Sequence, residues 1–138
     1  DVRVNVDTEI ALTRFDEGGP DLGVRHGAGH WPGLTAHPLM DEALFPVAAP
    51  TLPGLAEVSE PAHIARLPLV SDLARQGWPD WFRAAGVHGV DTDARYVFSD
   101  STDALEAAAR GLGAMLARNR IATDYLASGR LVQLLPEW

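Results

Sequence analysis

The run Ser99-Asp100-Ser101-Thr102 joins a strand-like segment to the clearest helical pattern in the chain, and its residue types suit a binding corner. Two serine hydroxyls stand beside the unsatisfied N–H groups and the positive dipole end of a helix, which together seek hydrogen-bond acceptors. The plainer role is capping by Ser101, with its neighbours solvated. Thr8 follows the alternating segment 1–6 in the same way. Its hydroxyl could meet a carboxylate or amide of a ligand, or only cap a helix; both can hold, because helix N-termini attract anions. Arg25-His26-Gly27 ends another strand-like segment. Arg25 could pair with an anionic ligand, or with a neighbouring element or solvent, while Gly27 and Gly29 read as backbone devices of a loop.

Other chemistries find less support. His26, His30 and His37 are spaced by four and seven residues on loop and strand, which is not a zinc signature. Asp91-x-Asp93 is too short for a calcium loop and reads as a turn. Trp31, Trp78 and Trp81 could stack on a ligand but read more simply as core. The chain has no Gly-x-Ser-x-Gly, no Gly-rich phosphate loop, no His-Glu-x-x-His and no paired-carboxylate signature, so no nucleophile–base pair can be nominated.

The elements that must hold these residues follow from periodicity. Residues 1–6 alternate polar and apolar, as a half-buried strand does. A short helix is expected from Asp7 or Thr8 to about Glu17, with Gly18-Gly19-Pro20 as its stop. Residues 21–25 read as a second strand, 27–33 as a loop, and 39–49 as an extended segment. Pro46 inside that segment argues for an edge or a crossing point, not a central strand. Beyond it strand and helix alternate. Ser59 or Glu60 caps a short helix with Pro61 in its first turn. Strands are expected at 67–71, 96–98, 114–117 and 131–135, and helices at 79–85, 101–110 and 121–128. Such alternation indicates an α/β fold with a largely parallel sheet. Ligands of such sheets sit beyond the carboxyl ends of the strands. That rule points to Thr8, Arg25 to Gly27, Ser71-Asp72 and Ser99 to Thr102.

Composition narrows the class. The 138 residues are 46% hydrophobic and 22% charged, an ordinary globular balance for one domain or two small lobes. The formal charge is -8, and all 11 basic residues are Arg. An acidic chain without a basic stripe is ill suited to gripping nucleic acid. The absence of cysteine excludes disulfides and thiolate chemistry and fits a cytoplasmic setting. No apolar run approaches the ~20 residues needed to span a bilayer, and no signal peptide opens the chain.

Five stretches together resemble the effector-binding (substrate-binding) domain of LysR-type transcriptional regulators, in particular the subgroup of the glycine-cleavage and β-lactamase gene activators. They are Asp21-Leu22-Gly23-Val24-Arg25-His26-Gly27-Ala28-Gly29-His30-Trp31-Pro32-Gly33-Leu34, Leu44-Phe45-Pro46-Val47-Ala48-Ala49-Pro50, Trp78-Pro79-Asp80-Trp81-Phe82-Arg83-Ala84-Ala85-Gly86, Phe98-Ser99-Asp100-Ser101 with Ala107-Ala108-Ala109-Arg110-Gly111-Leu112-Gly113, and Leu126-Ala127-Ser128-Gly129-Arg130-Leu131-Val132. Each is weak alone, but all five stand in the family's order and spacing. His26 replaces the usual Tyr and Gly23 the usual Ala, changes that concern pocket shape more than fold.

The resemblance implies a periplasmic-binding-protein-like fold of two lobes around a cleft, with residues 1–48 as an incomplete first lobe and 49–138 as lobe two. It implies that the family's winged helix-turn-helix and linker helix precede this region, so that DNA is reached only through a segment not present here. It also implies a small-molecule effector, with an amino acid, a peptide or a cell-wall fragment as candidates, and a homodimeric or homotetrameric parent protein. No cofactor and no membrane are expected. It places the 99–102 turn toward the cleft, which favours the binding reading of Ser99, Asp100, Ser101 and Thr102. The rival reading is an extracytoplasmic solute-binding protein of the same fold for a small polar metabolite, and an enzyme on this scaffold is a third.

Overall fold

A computed structural model describes residues 1–9, 11–73 and 77–137. The chain forms two compact units, Asp1–Met40 and Asp41–Trp138. The sequence reading divided it at 48/49. The extended segment 44–48 instead lies hydrogen-bonded inside the second unit.

The described residues of the first unit form turns and bends without a regular strand or helix. The strands expected at 1–6 and 21–25 are absent, and so is the helix expected at 8–17; its Ile10 lies outside the described residues. The physical reason is burial. An alternating segment becomes a strand when one of its faces is covered and its backbone paired, whereas here Val2 is 91% exposed, with Val4, Val6, Leu22 and Val24 also exposed. Local chemistry survives as turns. Gly19 N–H donates to the Asp16 carbonyl (2.9 Å) and Leu34 N–H to that of Trp31 (3.1 Å). Gly23 lies under Phe15: a Cβ there would fall 2.9 Å from Cζ of that ring.

In the second unit, strands β1 (Leu44–Ala48), β2 (Leu69–Asp72), β3 (Tyr96–Phe98), β4 (Ala114–Arg118) and β5 (Val132–Gln133) form one sheet in the order β3-β2-β4-β1-β5. β2 runs parallel to both β3 and β4, while β1 runs antiparallel to β4 and β5. The helices are α1 (Pro61–Ile64), α2 (Trp78–Ala84), α3 (Ser101–Ala109) and α4 (Asn119–Ala127). They cover both faces of the sheet, which explains why Ala114-Met115-Leu116-Ala117 is apolar throughout rather than alternating. Ala114 and Leu116 pack with Ile64, Trp78 and Phe82. Met115 and Ala117 pack with Ala104, Leu105, Ala108 and Ala122 on the other side.

Pro46 corrects one expectation. β1 lies between β4 and β5, not at an edge. The carbonyl of Pro46 accepts from Leu134 N–H (2.8 Å), so the proline's missing donor faces β5 at the point where that strand ends. β5 is itself shorter than expected, because Leu135 adopts φ 52 and turns the backbone away. β2 begins two residues later than expected, because Leu67 still belongs to the turn after α1, its N–H bonded to the Ile64 carbonyl (3.0 Å). α4 begins two residues earlier, at Asn119, whose side-chain oxygen accepts from Ala43 N–H (3.2 Å). Gly113 permits β4 to meet the β2 side: a Cβ there would stand 2.2 Å from the Pro68 carbonyl oxygen, which instead accepts Ala114 N–H at 2.8 Å.

Candidate functional site

β2 and β4 are parallel neighbours, so their carboxyl ends bring Asp72 and Arg118 to one edge of the sheet. β3 runs alongside, with Phe98 in register with Asp72, and the chain then turns into α3 at Ser101. The Ser101 hydroxyl donates to Oδ2 of Asp72. Arg118 donates through Nε to Oε2 of Glu42 (3.1 Å) and places a terminal nitrogen 3.9 Å from Asp72 Oδ2. The Ser71 hydroxyl donates to the Asp72 carbonyl (3.1 Å). These side chains are withdrawn from water, with Asp72 11%, Arg118 16% and Glu42 21% exposed. Charges held there need partners to offset their lost hydration, and the cluster supplies them. It borders a cavity of about 10 Å³, floored by Val70, Trp78 and Met115, the room of a single water.

Helix α3 is capped by Asp100, not by Ser101. Asp100 has extended backbone (φ -119, ψ 134), and its carboxylate accepts from the N–H groups of Thr102 (2.8 Å) and Asp103 (3.2 Å). A carboxylate outcompetes a hydroxyl for that place beside the positive helix end. Ser101 is thereby released into the first helical position, from which its hydroxyl turns to Asp72. The corner expected to seek acceptors has thus already filled two of its N–H groups. Ser99, Asp100 and Thr102 stand exposed around it.

The other end of α3 is tied to α4. Glu106 accepts from Arg110 Nε (2.9 Å), from an Arg130 terminal nitrogen (2.8 and 2.9 Å) and from the Tyr125 hydroxyl (3.0 Å). The Arg130 guanidinium also lies 4.8 Å from the centroid of the Tyr125 ring, a cation–π distance. Hydrogen bonds from Arg110, Arg130 and Tyr125 favour the charged carboxylate and hold Glu106 down at about 2. Desolvation, then the bond to Glu106, raises Tyr125.

Trp78 is core, the simpler of its two readings. It is buried, and its Nε1 donates to the Val70 carbonyl (3.0 Å), which ties α2 to β2. Trp81 packs edge-on against Trp78 (5.8 Å) and Phe82 (5.2 Å) but stays half-buried. Its outer side lines an open groove of about 190 Å³ together with Leu44, Gly77, Asp80, Ala84 and Leu116.

Of the residues singled out from the sequence, Ser71, Asp72 and Ser101 come together here, with Ser99, Asp100 and Thr102 beside them. Arg118 and Glu42 were missed. A charged residue at the end of an otherwise apolar strand was a usable signal for Arg118, whereas Glu42 carried none. Thr8, Arg25, His26 and Gly27 lie in the first unit. Arg25 donates to the Ala11 carbonyl (2.7 Å), Thr8 is exposed, and Gly27 packs on Trp31, where a Cβ would fall 3.1 Å from the indole. Asp93 N–H bonds to the Asp91 carboxylate (3.0 Å), the expected turn. Among the described residues no group of three or more His, Asp or Glu could hold a metal ion, and no helix is long and apolar enough to cross a membrane.

The LysR substrate binding domain family matches residues 1–138. The chain is 34% identical over 113 residues to the glycine cleavage system transcriptional activator of Escherichia coli K12, an alignment covering 81% of this chain and 37% of that protein. It is 37% identical over 116 residues to the HTH-type transcriptional activator AmpR of Enterobacter cloacae, covering 83% and 39%. It therefore spans well under half the length of these curated relatives. Among solved structures, the effector domain of the transcriptional regulator AmpR of Pseudomonas aeruginosa superposes with a TM-score of 0.65 at 32% identity, covering 78% of this chain and 51% of that one. Such domains have a periplasmic-binding-protein-like fold, the class expected from the sequence. The solute-binding alternative is not favoured, since these relatives are named as transcriptional activators. The chain belongs to the LysR substrate binding domain family.

Proposed function

We propose that this chain is the effector-sensing part of a cytoplasmic LysR-type regulator, a binding module and not an enzyme, which meets its effector at the Asp72–Ser101–Arg118 edge. The observation that carries the reading is the convergence of those three side chains, paired and largely withdrawn from water, beyond the carboxyl ends of parallel strands. That edge is where open α/β sheets bind ligands. Ser99, Asp100 and Thr102 border it, and Thr8, Arg25, His26 and Gly27 of the first unit are proposed separately as effector-contacting residues. In the parent protein, a homodimer or homotetramer, DNA would be held by a winged helix-turn-helix. An effector that favours one arrangement of the sensing domains would shift the population and so alter the grip on DNA.

A thermal-shift panel of amino acids, short peptides and cell-wall fragments tests this. A ligand at about 100 times its Kd stabilises the folded state by ~2.7 kcal/mol. A true effector therefore raises the Tm in a saturable way, and Ser101→Ala and Asp72→Asn reduce that rise. A panel without a stabilising compound, or a rise that both variants leave intact, counts against the proposal.

A further inference from the structure

The start of the second unit is tied, residue by residue, to the turn from β4 into α4. Asp41, Glu42 and Ala43 directly follow Met40, the last residue of the first unit. The Asp41 carbonyl accepts from Arg120 Nε (3.4 Å), and the Glu42 carboxylate from Arg118 Nε (3.1 Å). Ala43 N–H donates to Oδ1 of Asn119 (3.2 Å), and its carbonyl accepts from Asn119 N–H (3.0 Å). The segment through which the chain enters the second unit is therefore held from one short stretch, residues 118–120.

Arg118 also belongs to the polar edge. Its terminal nitrogen stands 3.9 Å from Oδ2 of Asp72, and that same oxygen accepts the Ser101 hydroxyl. A guanidinium is a rigid planar fork, so its Nε and terminal nitrogens move as one body. The separation from Asp72 is an ion-pair distance, about 1 Å beyond a hydrogen bond. When the Ser101 hydroxyl no longer donates to Oδ2, that oxygen loses a charge-assisted donor and draws the guanidinium more strongly. A fork that closes on Asp72 turns its Nε off Glu42, and one of the ties on residues 41–43 is lost. This coupling needs only that one rigid group touches both carboxylates, whatever else each of them meets.

Resting on the effector-sensing reading above, we infer that Arg118 is a positioning residue that carries the state of the Asp72–Ser101 edge to residues 41–43, the covalent route to the first unit. An effector that takes over the Ser101 hydroxyl would loosen that segment without touching it.

Amide hydrogen exchange of this chain, followed by NMR without any ligand, tests the relay. The Ala43 and Asn119 amides report on the clamp. The Ala114 amide, bonded to the Pro68 carbonyl (2.8 Å) at the other end of β4, reports on general loosening. Ser101→Ala is expected to speed exchange at Ala43 and Asn119 by about fivefold relative to Ala114, the loss of one net hydrogen bond. Asp100→Ala, which removes the cap of α3 but leaves the edge in place, is expected to move all three amides alike. Arg118→Lys keeps the charge but replaces the fork with a single nitrogen. It is expected to speed Ala43 and Asn119 by itself and to leave Ser101→Ala without a further selective effect. Glu42→Gln weakens the same contact from the other side; it is expected to behave alike, and it serves if Arg118→Lys does not fold. A uniform change in Ser101→Ala, or a selective one that persists undiminished in either background, overturns the relay. Because no effector is present, that outcome leaves the sensing reading to its own metabolite panel, and a panel without a stabilising compound leaves the relay standing.

Discussion

The hydroxyl of Ser101, the first residue of α3, donates to the carboxylate of Asp72, the last residue of β2, across 29 positions of sequence. The bond exists because Asp100, one residue earlier, takes over the capping of the helix. Capping and the polar edge proposed to meet the effector are thus divided between adjacent side chains, which predicts separable effects on stability and on ligand response.

Removing the bond leaves a largely buried carboxylate with one donor fewer. Ser101→Ala is expected to cost about 1.5–3 kcal/mol, the range for hydrogen bonds to charged groups, and to diminish the thermal response to any effector. Urea unfolding with and without the stabilising compound measures both. A variant that loses stability but keeps the full ligand response would show Ser101 to be structural only.

Asp100→Ala is expected to cost about 1 kcal/mol, the loss of a helix N-cap, while Asp100→Ser, which keeps an oxygen acceptor at that place, retains most of the stability. The midpoint of denaturant unfolding is the measurement. Equal losses in both variants would mean that the carboxylate acts by charge and not by capping.

Acid should weaken the tie between α3 and α4. The Glu106 carboxylate is held at about 2 against an ordinary 4.5. A folded-state value below the unfolded one stabilises the fold above the unfolded value and ceases to do so as pH falls through the folded one. The contribution is therefore fully present above about 4.5 and fades between 4.5 and about 2. Glu106→Gln should flatten that limb of a Tm-against-pH curve, and Arg130→Gln should flatten it in part. A limb unchanged in Glu106→Gln would place the acid sensitivity elsewhere.

Trp78→Phe keeps most of the packing against Phe82 but leaves the Val70 carbonyl without its indole donor. The expected cost is about 1–3 kcal/mol, and Trp78→Ala should add the loss of a large buried ring, for a total of about 3–5 kcal/mol. Chemical denaturation of the two variants side by side separates the hydrogen bond from the ring.

The second unit was largely legible in its residues, since its elements carry their own punctuation: Pro at the start of α1 and α2, Gly after α2 and α3, and apolar runs buried on both faces. Boundary errors came from particular side chains, such as Asn119 reaching Ala43 and starting α4 early, or Leu135 turning β5 off the sheet. The first unit was misread because its alternating valines describe what a strand would bury, not whether a partner strand covers it. The candidate site was half legible. Ser71-Asp72 and Ser99 to Thr102 followed from the rule of strand ends. Glu42 and Arg118 meet because β1 lies antiparallel to β4, in a central place that Pro46 argued against.

The most direct test of the central claim is the effector-induced rise in Tm of this chain, compared with that of Ser101→Ala and Asp72→Asn at the same ligand concentration. A rise in the unchanged protein that collapses in both variants is the predicted result. A rise of undiminished size in both would show that the effector is held elsewhere and that the Asp72–Ser101–Arg118 edge is not the sensing site.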